Sequence, residues 1–180
     1  MVENQRIEYK EGWNPESILH TVCAFANDYD NLYGGYLIIG IKDDNGRPSP
    51  DSPGVPPDKA DKMAKDLLNL VNMIEPGYEV SSAYEDYRGI GVFVIWAPGG
   101  PDRPYKCPVS PGKNEKAKGF FIRKQSGTVK ANPMQEKELF RMSETTPYDD
   151  RINYRSSMED LDRVLISSYL ENTNSRSALK

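Results

Sequence analysis

Histidine is almost missing from this chain: His20 is the only one in 180 residues. A histidine-built metal site is thereby excluded. Cysteine is as sparse, since Cys23 and Cys107 stand alone without a Cys-x-x-Cys spacing. Two such residues suggest no disulfide framework, and Cys23, on an apolar helix face, reads as a small buried hydrophobe. No apolar run approaches the length needed to cross a bilayer, so no membrane span is expected. The start of the chain is acidic and polar and lacks the pattern of a signal peptide, which makes the cytoplasm the expected location. There is no Gly-x4-Gly-Lys-Ser/Thr loop anywhere, which excludes a Walker-type ATPase.

What is present is an ordinary globular composition, 37% hydrophobic and 28% charged, with a net charge of −4. That length and composition suit one domain with an appended segment. The charge is unevenly spread. Residues 1–99 hold 8 basic and 16 acidic side chains, whereas residues 100–132 hold 8 basic and 2 acidic. A basic segment of that kind makes a local electrostatic footprint on an acidic chain, although a solvated lysine-rich loop has the same composition.

The pattern predicts an α/β (α+β) fold: a small mixed β-sheet packed with two to three helices, plus a C-terminal helical extension. Asn14-Pro15-Glu16 reads as a helix start, with a capping side chain, proline at the first position and an acid in the first turn. Ile18, Leu19, Val22, Cys23, Phe25 and Ala26 give that helix its apolar stripe. Gly34-Gly35 ends the connection, and Tyr36–Ile41 is an apolar strand expected to be covered on both faces. A second helix is expected over Asp58–Ile74. Strands over Tyr78–Tyr87 and Gly91–Ala97 are joined near Arg88-Gly89. Residues 98–118 read as a long loop, Gly119–Lys124 as a strand, Thr128–Ala131 as an extended piece, and Asn132-Pro133 as the start of a third helix ending near Met142. The domain is thus expected over 1–142, with a linker over 143–156. A last helix over 157–180 carries Met158, Leu161, Val164, Leu165 and Leu170 as its apolar positions, and reads as the start of a longer protein.

Two acidic motifs flank the first helix and strand. Glu3 and Glu8 precede the helix, and Asp43 follows the strand in Asp43-Asp44-Asn45-Gly46. Three convergent carboxylates at one sheet edge can hold a hard divalent ion, while acids in such a turn need no metal at all. Asn27, Gly34 and Gly35 read as structural, as does His20. Phe120, Phe121, Tyr36 and Trp96 read as core.

The Glu-x4-Glu-aromatic-Lys start, Ala24-Phe25-Ala26-Asn27, the Gly34-Gly35-Tyr36-Leu37-Ile38-Ile39-Gly40-Ile41 run and the Gly119–Thr128 segment together resemble the Schlafen/AlbA-like DNA-binding domain family over roughly residues 3–132. The resemblance implies a nucleic-acid-binding domain, DNA foremost, from a transcriptional regulator. Its phosphate contacts fall on Arg103, Tyr105, Lys106, Lys113, Lys116, Lys118, Arg123, Lys124, Ser126, Thr128 and Lys130, with Tyr105 placed to stack on a base. It also implies an alternative, a Mg²⁺- or Mn²⁺-dependent endoribonuclease with Glu3, Glu8 and Asp43 as metal ligands and Lys10 beside the scissile phosphate. A third reading is an interaction module that forms a homodimer through the apolar stripe of the helix at 157–172. No cofactor is required by the first and third readings.

Overall fold

The computed structural model describes residues 2–111 and 117–143. Lys113, Lys116 and the expected linker and helix from residue 144 onward lie outside the described residues. Two sheets grip one central helix. The first sheet joins β1 (Ile7–Lys10), β2 (Gly35–Ile39), β5 (Ser81–Tyr87) and β6 (Ile90–Ala97) in the order β1-β2-β6-β5. β1 runs parallel to β2 and the other neighbours are antiparallel, so the sheet is mixed as the sequence predicts. Between them in the chain, β3 (Asp43–Asp44) and β4 (Arg47–Pro48) form a small ribbon. The second sheet is an antiparallel set of β7 (Lys106–Pro108), β8 (Lys118–Lys124) and β9 (Gly127–Lys130).

Helix α1 (Pro15–Asn27) packs against strands of both sheets. Asn14 caps it by accepting from the Ser17 backbone at 3.0 Å, with Pro15 in the first turn. Burial is therefore not confined to a stripe: every residue except His20 from Ile18 to Asn27 is buried, as befits a helix with neighbours on all sides. Helix α2 (Ala60–Val71), entered through a short 3₁₀ turn at Pro57–Lys59, supplies Met63, Leu67, Leu70 and Val71 to the same core. Leu37, Ile39, Phe93 and Ile95 come to that core from the sheet. Helix α3 (Pro133–Met142) closes a smaller core with Ile122, Ala131 and Leu139. It begins with a reciprocal capping box between Asn132 and Gln135.

Two expectations change. The long loop over 98–118 contains β7, which pairs with β8 and through Lys106 bridges Glu75. The strand around Tyr36 is not covered on both faces, because Tyr36 is 40% exposed on the side away from α1.

Candidate nucleic-acid interface

Glu8 projects from β1 toward α1, in register with Leu37, and is 6% exposed. One of its oxygens accepts from Arg123 Nη1 at 2.6 Å and the other from Lys10 Nζ. Arg123 is 5% exposed and is itself held on several sides. Its Nη1 also donates to Thr128 Oγ1 at 2.9 Å, and its Nη2 donates to the carbonyls of Ser126 at 2.7 Å and Asn4 at 3.1 Å. Its guanidinium carbon lies 5.2 Å from the Phe25 ring centre. The Glu8–Arg123 pair therefore ties the first sheet to the second beneath the surface.

Glu3 turns back on the same strand, its Oε1 accepting from the Tyr9 backbone at 2.9 Å. Its backbone N–H meets the Gly46 carbonyl at 2.6 Å, which brings the β3–β4 ribbon alongside. Burial pushes the Glu3 carboxyl above the usual carboxylate range. The Tyr9 N–H works against that shift, while the negative charges of Glu8 and Asp43 add to it. The three acids thus feel one another, but they do not form a donor set. Both Glu8 oxygens already face cations, and Asp43 is exposed on β3. Among the described residues, no group of three His, Cys, Asp or Glu is arranged to hold a metal ion. Glu3, Glu8 and Asp43 in this arrangement do not fit Mg²⁺ or Mn²⁺; Lys10 is paired with Glu8, and the two line an open cleft of about 260 Å³ with His20 and Thr128.

The cationic set divides in the same way. Arg123 and Tyr105 belong to the interior. Tyr105 is 1% exposed, not displayed for stacking; burial pushes its phenol up, and its oxygen accepts from the Asp102 N–H at 3.1 Å. Arg103 is half-buried and donates to the Asp28 carbonyl at 3.0 Å and to Asn31 Oδ1 at 2.8 Å. Thr128 bonds Thr21 across the helix–sheet contact at 3.1 Å, while the exposed Ser126 lends its carbonyl to Arg123. The lysines stay outside. Lys106 and Lys118 both reach Glu75, whose carboxyl is held below its ordinary value chiefly by the Lys118 hydrogen bond and charge. Lys124 and Lys130 are exposed, and neither forms an ion pair among the described residues.

Asn27 and His20 are structural, as read from the sequence. Asn27 donates to the carbonyls of Tyr105 and Phe121 at 2.9 and 2.8 Å and accepts from Tyr105 N at 2.7 Å. His20 stacks on Phe121 with ring centres 3.9 Å apart and meets the Pro108 carbonyl at 3.0 Å. Gly34 has φ +83°, and an added side chain there would collide with the backbone of Ala97–Gly99. Sequence reasoning missed the exposure of Tyr33 and Tyr36. The signal available was the alternation along β2, which puts Tyr36 on the opposite face from Leu37.

Comparison with known proteins adds three findings. The family described as Schlafen, AlbA_2 matches residues 3–132. The crystal structure of the DIP2311 protein from Corynebacterium diphtheriae superposes with a TM-score of 0.52 at 16% identity, covering 98% of this chain and 31% of that one. The N-terminal domain of a RecG-related protein from Nitrosomonas europaea, solved in solution, gives a TM-score of 0.46 at 27% identity, covering 67% of this chain and 78% of that domain. The likeness to DIP2311 supports the fold alone, and the chain spans less than a third of that protein's length. No curated protein matches the sequence significantly.

Proposed function

The chain belongs to the Schlafen AlbA_2 family, and from that premise we propose that it is a nucleic-acid-binding domain, taking DNA foremost, that serves a transcriptional regulator. One observation carries the reading. The three-stranded sheet displays Lys106, Lys118, Lys124 and Lys130; of these four, only Lys106 and Lys118 form ion pairs among the described residues, both with Glu75, and Lys124 and Lys130 are left unopposed. Flexible ammonium groups on a sheet rim suit phosphate oxygens, which fix a strand without reading its bases. Affinity of this kind comes from release of counterions and falls with salt. The buried Glu8–Arg123 pair serves as the clamp beneath that rim and not as reaction chemistry.

The test is fluorescence anisotropy of a labelled duplex titrated with the protein over a series of salt concentrations. The doubly substituted Lys124→Glu, Lys130→Glu protein is measured beside it. The parent is expected to bind with an affinity that drops steeply with salt. The double variant is expected to bind more weakly, with a log–log salt slope shallower by roughly 1.8, the loss of two phosphate contacts on a duplex. Equal affinity and equal slope for the two proteins would sink this placement of the interface.

A further inference from the structure

The face of the four-stranded sheet turned away from α1 carries a second surface, far more aromatic than the lysine rim. Tyr36 on β2 and Trp96 on β6 are cross-strand partners, so their side chains share that face. Their rings lie 4.5 Å apart at a tilt of 34°. Tyr33, on the loop that leads into β2, is 81% exposed. A single exposed ring is ordinary; what marks this face is that Tyr33 and Tyr36 are both exposed and that Trp96 lies against Tyr36.

The loop holding Tyr33 is built against the backbone's preferences. Asp28, Asn31 and Tyr33 have φ of 41°, 53° and 68°, all in the left-handed region, which a bulky residue such as tyrosine seldom adopts. Specific bonds hold it there. The Asp28 carboxylate accepts from Leu32 N at 2.8 Å and from Tyr33 N at 3.0 Å, one oxygen each. Arg103 ties the Asp28 carbonyl and the Asn31 side chain together. Between Tyr33, Trp96, Pro98, Asn31 and Arg103 lies a cleft of about 440 Å³. On the other side of Tyr36 a second cleft of about 400 Å³ is lined by Arg6, Ile7 and Ile38. Arg6 is exposed and braced by a bond from Nε to the Gly34 carbonyl at 3.3 Å.

The chemistry of this surface selects its occupant. Flat rings with guanidinium groups on both flanks suit planar, electron-rich bases joined by anionic linkers. The one carboxylate lining the first cleft, Asp28, is turned onto the backbone amides of Leu32 and Tyr33, and the Arg103 guanidinium stands beside it on the Asp28 carbonyl. A peptide strand would seek an unpaired sheet edge, and the Tyr36–Trp96 pair sits on β2 and β6, the two inner strands. A duplex keeps its bases stacked inside and cannot offer their faces. We propose that Tyr33, Tyr36 and Trp96 stack the unpaired bases of a single-stranded nucleic acid, with Arg6 and Arg103 on its phosphates. This rests on the reading of the domain as a nucleic-acid binder and adds the form of nucleic acid it prefers.

The experiment uses the full 180-residue chain and two probes, labelled oligothymidylate and a duplex of the same length. The variants are Tyr33→Asn, because asparagine tolerates the left-handed conformation, and Tyr36→Thr, because threonine suits an exposed strand position. Thermal melting of each confirms the fold. Each variant is expected to lose about tenfold in affinity for the single strand, the order of one stacked base, and nothing for the duplex. The lysine double variant is expected to weaken both probes. Unchanged single-strand affinity in Tyr33→Asn and Tyr36→Thr would overturn the platform while leaving the lysine rim in place. Absence of binding to either probe by the parent would overturn the underlying reading as well. Competition by free thymidine monophosphate as effective as that by the oligomer would also overturn the proposal, since the clefts would then hold a lone nucleotide.

Discussion

Glu8 shows how one side chain decides between two chemistries. A carboxylate waiting for a metal keeps its oxygens open to solvent and to other acids; Glu8 has given both to cations, and its partner Arg123 is as buried as it is. Removing one member of a buried pair strands the other charge, which costs about 3–5 kcal/mol. Glu8→Ala and Arg123→Ala are each expected to destabilise the protein by about that much in urea unfolding. The double variant should lose clearly less than the sum, because each single change already breaks the same contact. A Glu8→Ala protein as stable as the parent would return Glu8 to the list of open carboxylates. The three acids themselves could be picked out from the sequence, since Glu3, Glu8 and Asp43 flank one helix and one strand. What could not be picked out was the partner: Arg123 stands 115 positions from Glu8, and only the meeting of the two sheets brings them together. For the same reason Tyr105, in a Pro- and Lys-rich segment, looked displayed and is in fact interior.

At the level of elements, local chemistry was the legible part. Asn14-Pro15 and Asn132-Pro133 start α1 and α3 where capping logic puts them. The Arg88-Gly89 turn has positive φ at both residues, 57° and 83°, as a tight hairpin between β5 and β6 demands. Elements that exist only through distant partners were hidden. β7 is three residues long and owes its order to β8 on one side and to the Glu75–Lys106 bridge on the other. The open face of β2 was only half legible: strand alternation puts Tyr36 and Leu37 on opposite faces, but a run of consecutive apolar residues does not say which of the two is bare. Asn27 is where these elements are joined. From the last turn of α1 it satisfies two carbonyls and one N–H of β8 and the segment leading into β7, all inside the core. Asn27→Ala removes all three bonds in a place water does not reach, leaving the Tyr105 carbonyl only the weak Cys23 thiol at 3.5 Å, at about 1–3 kcal/mol for each group left uncompensated. A loss of roughly 3 kcal/mol or more in unfolding free energy is expected. Amide exchange should quicken first at Tyr105, whose N–H donates to Asn27. A loss under about 0.5 kcal/mol, the level of an ordinary surface substitution, would show that the joint is made elsewhere.

Over the whole molecule, the net charge of −4 conceals the feature that matters for binding, which is where the few unopposed positive charges stand. Glu75 is the internal competitor for the lysine rim. Exposed at the surface, it draws Lys106 and Lys118 toward itself, and the Lys118 hydrogen bond and charge, helped by Lys106, hold its carboxyl below the ordinary range. A phosphate approaching that rim must displace a carboxylate from both lysines and meets its repulsion. Glu75→Gln removes one negative charge from the face and releases two ammonium groups, without touching the core. Unit charges that meet across water interact only weakly, so the expected gain is small. The variant is therefore expected to bind duplex and single strand two- to fivefold more tightly at low ionic strength, the gain fading as salt screens the face. This is the opposite sign to the Lys124→Glu, Lys130→Glu change in the same titration, so a general loss of folding cannot imitate it. Unchanged or weaker binding in Glu75→Gln would place the phosphate contacts away from β7 and β8 and leave the aromatic face of the other sheet to carry the affinity alone.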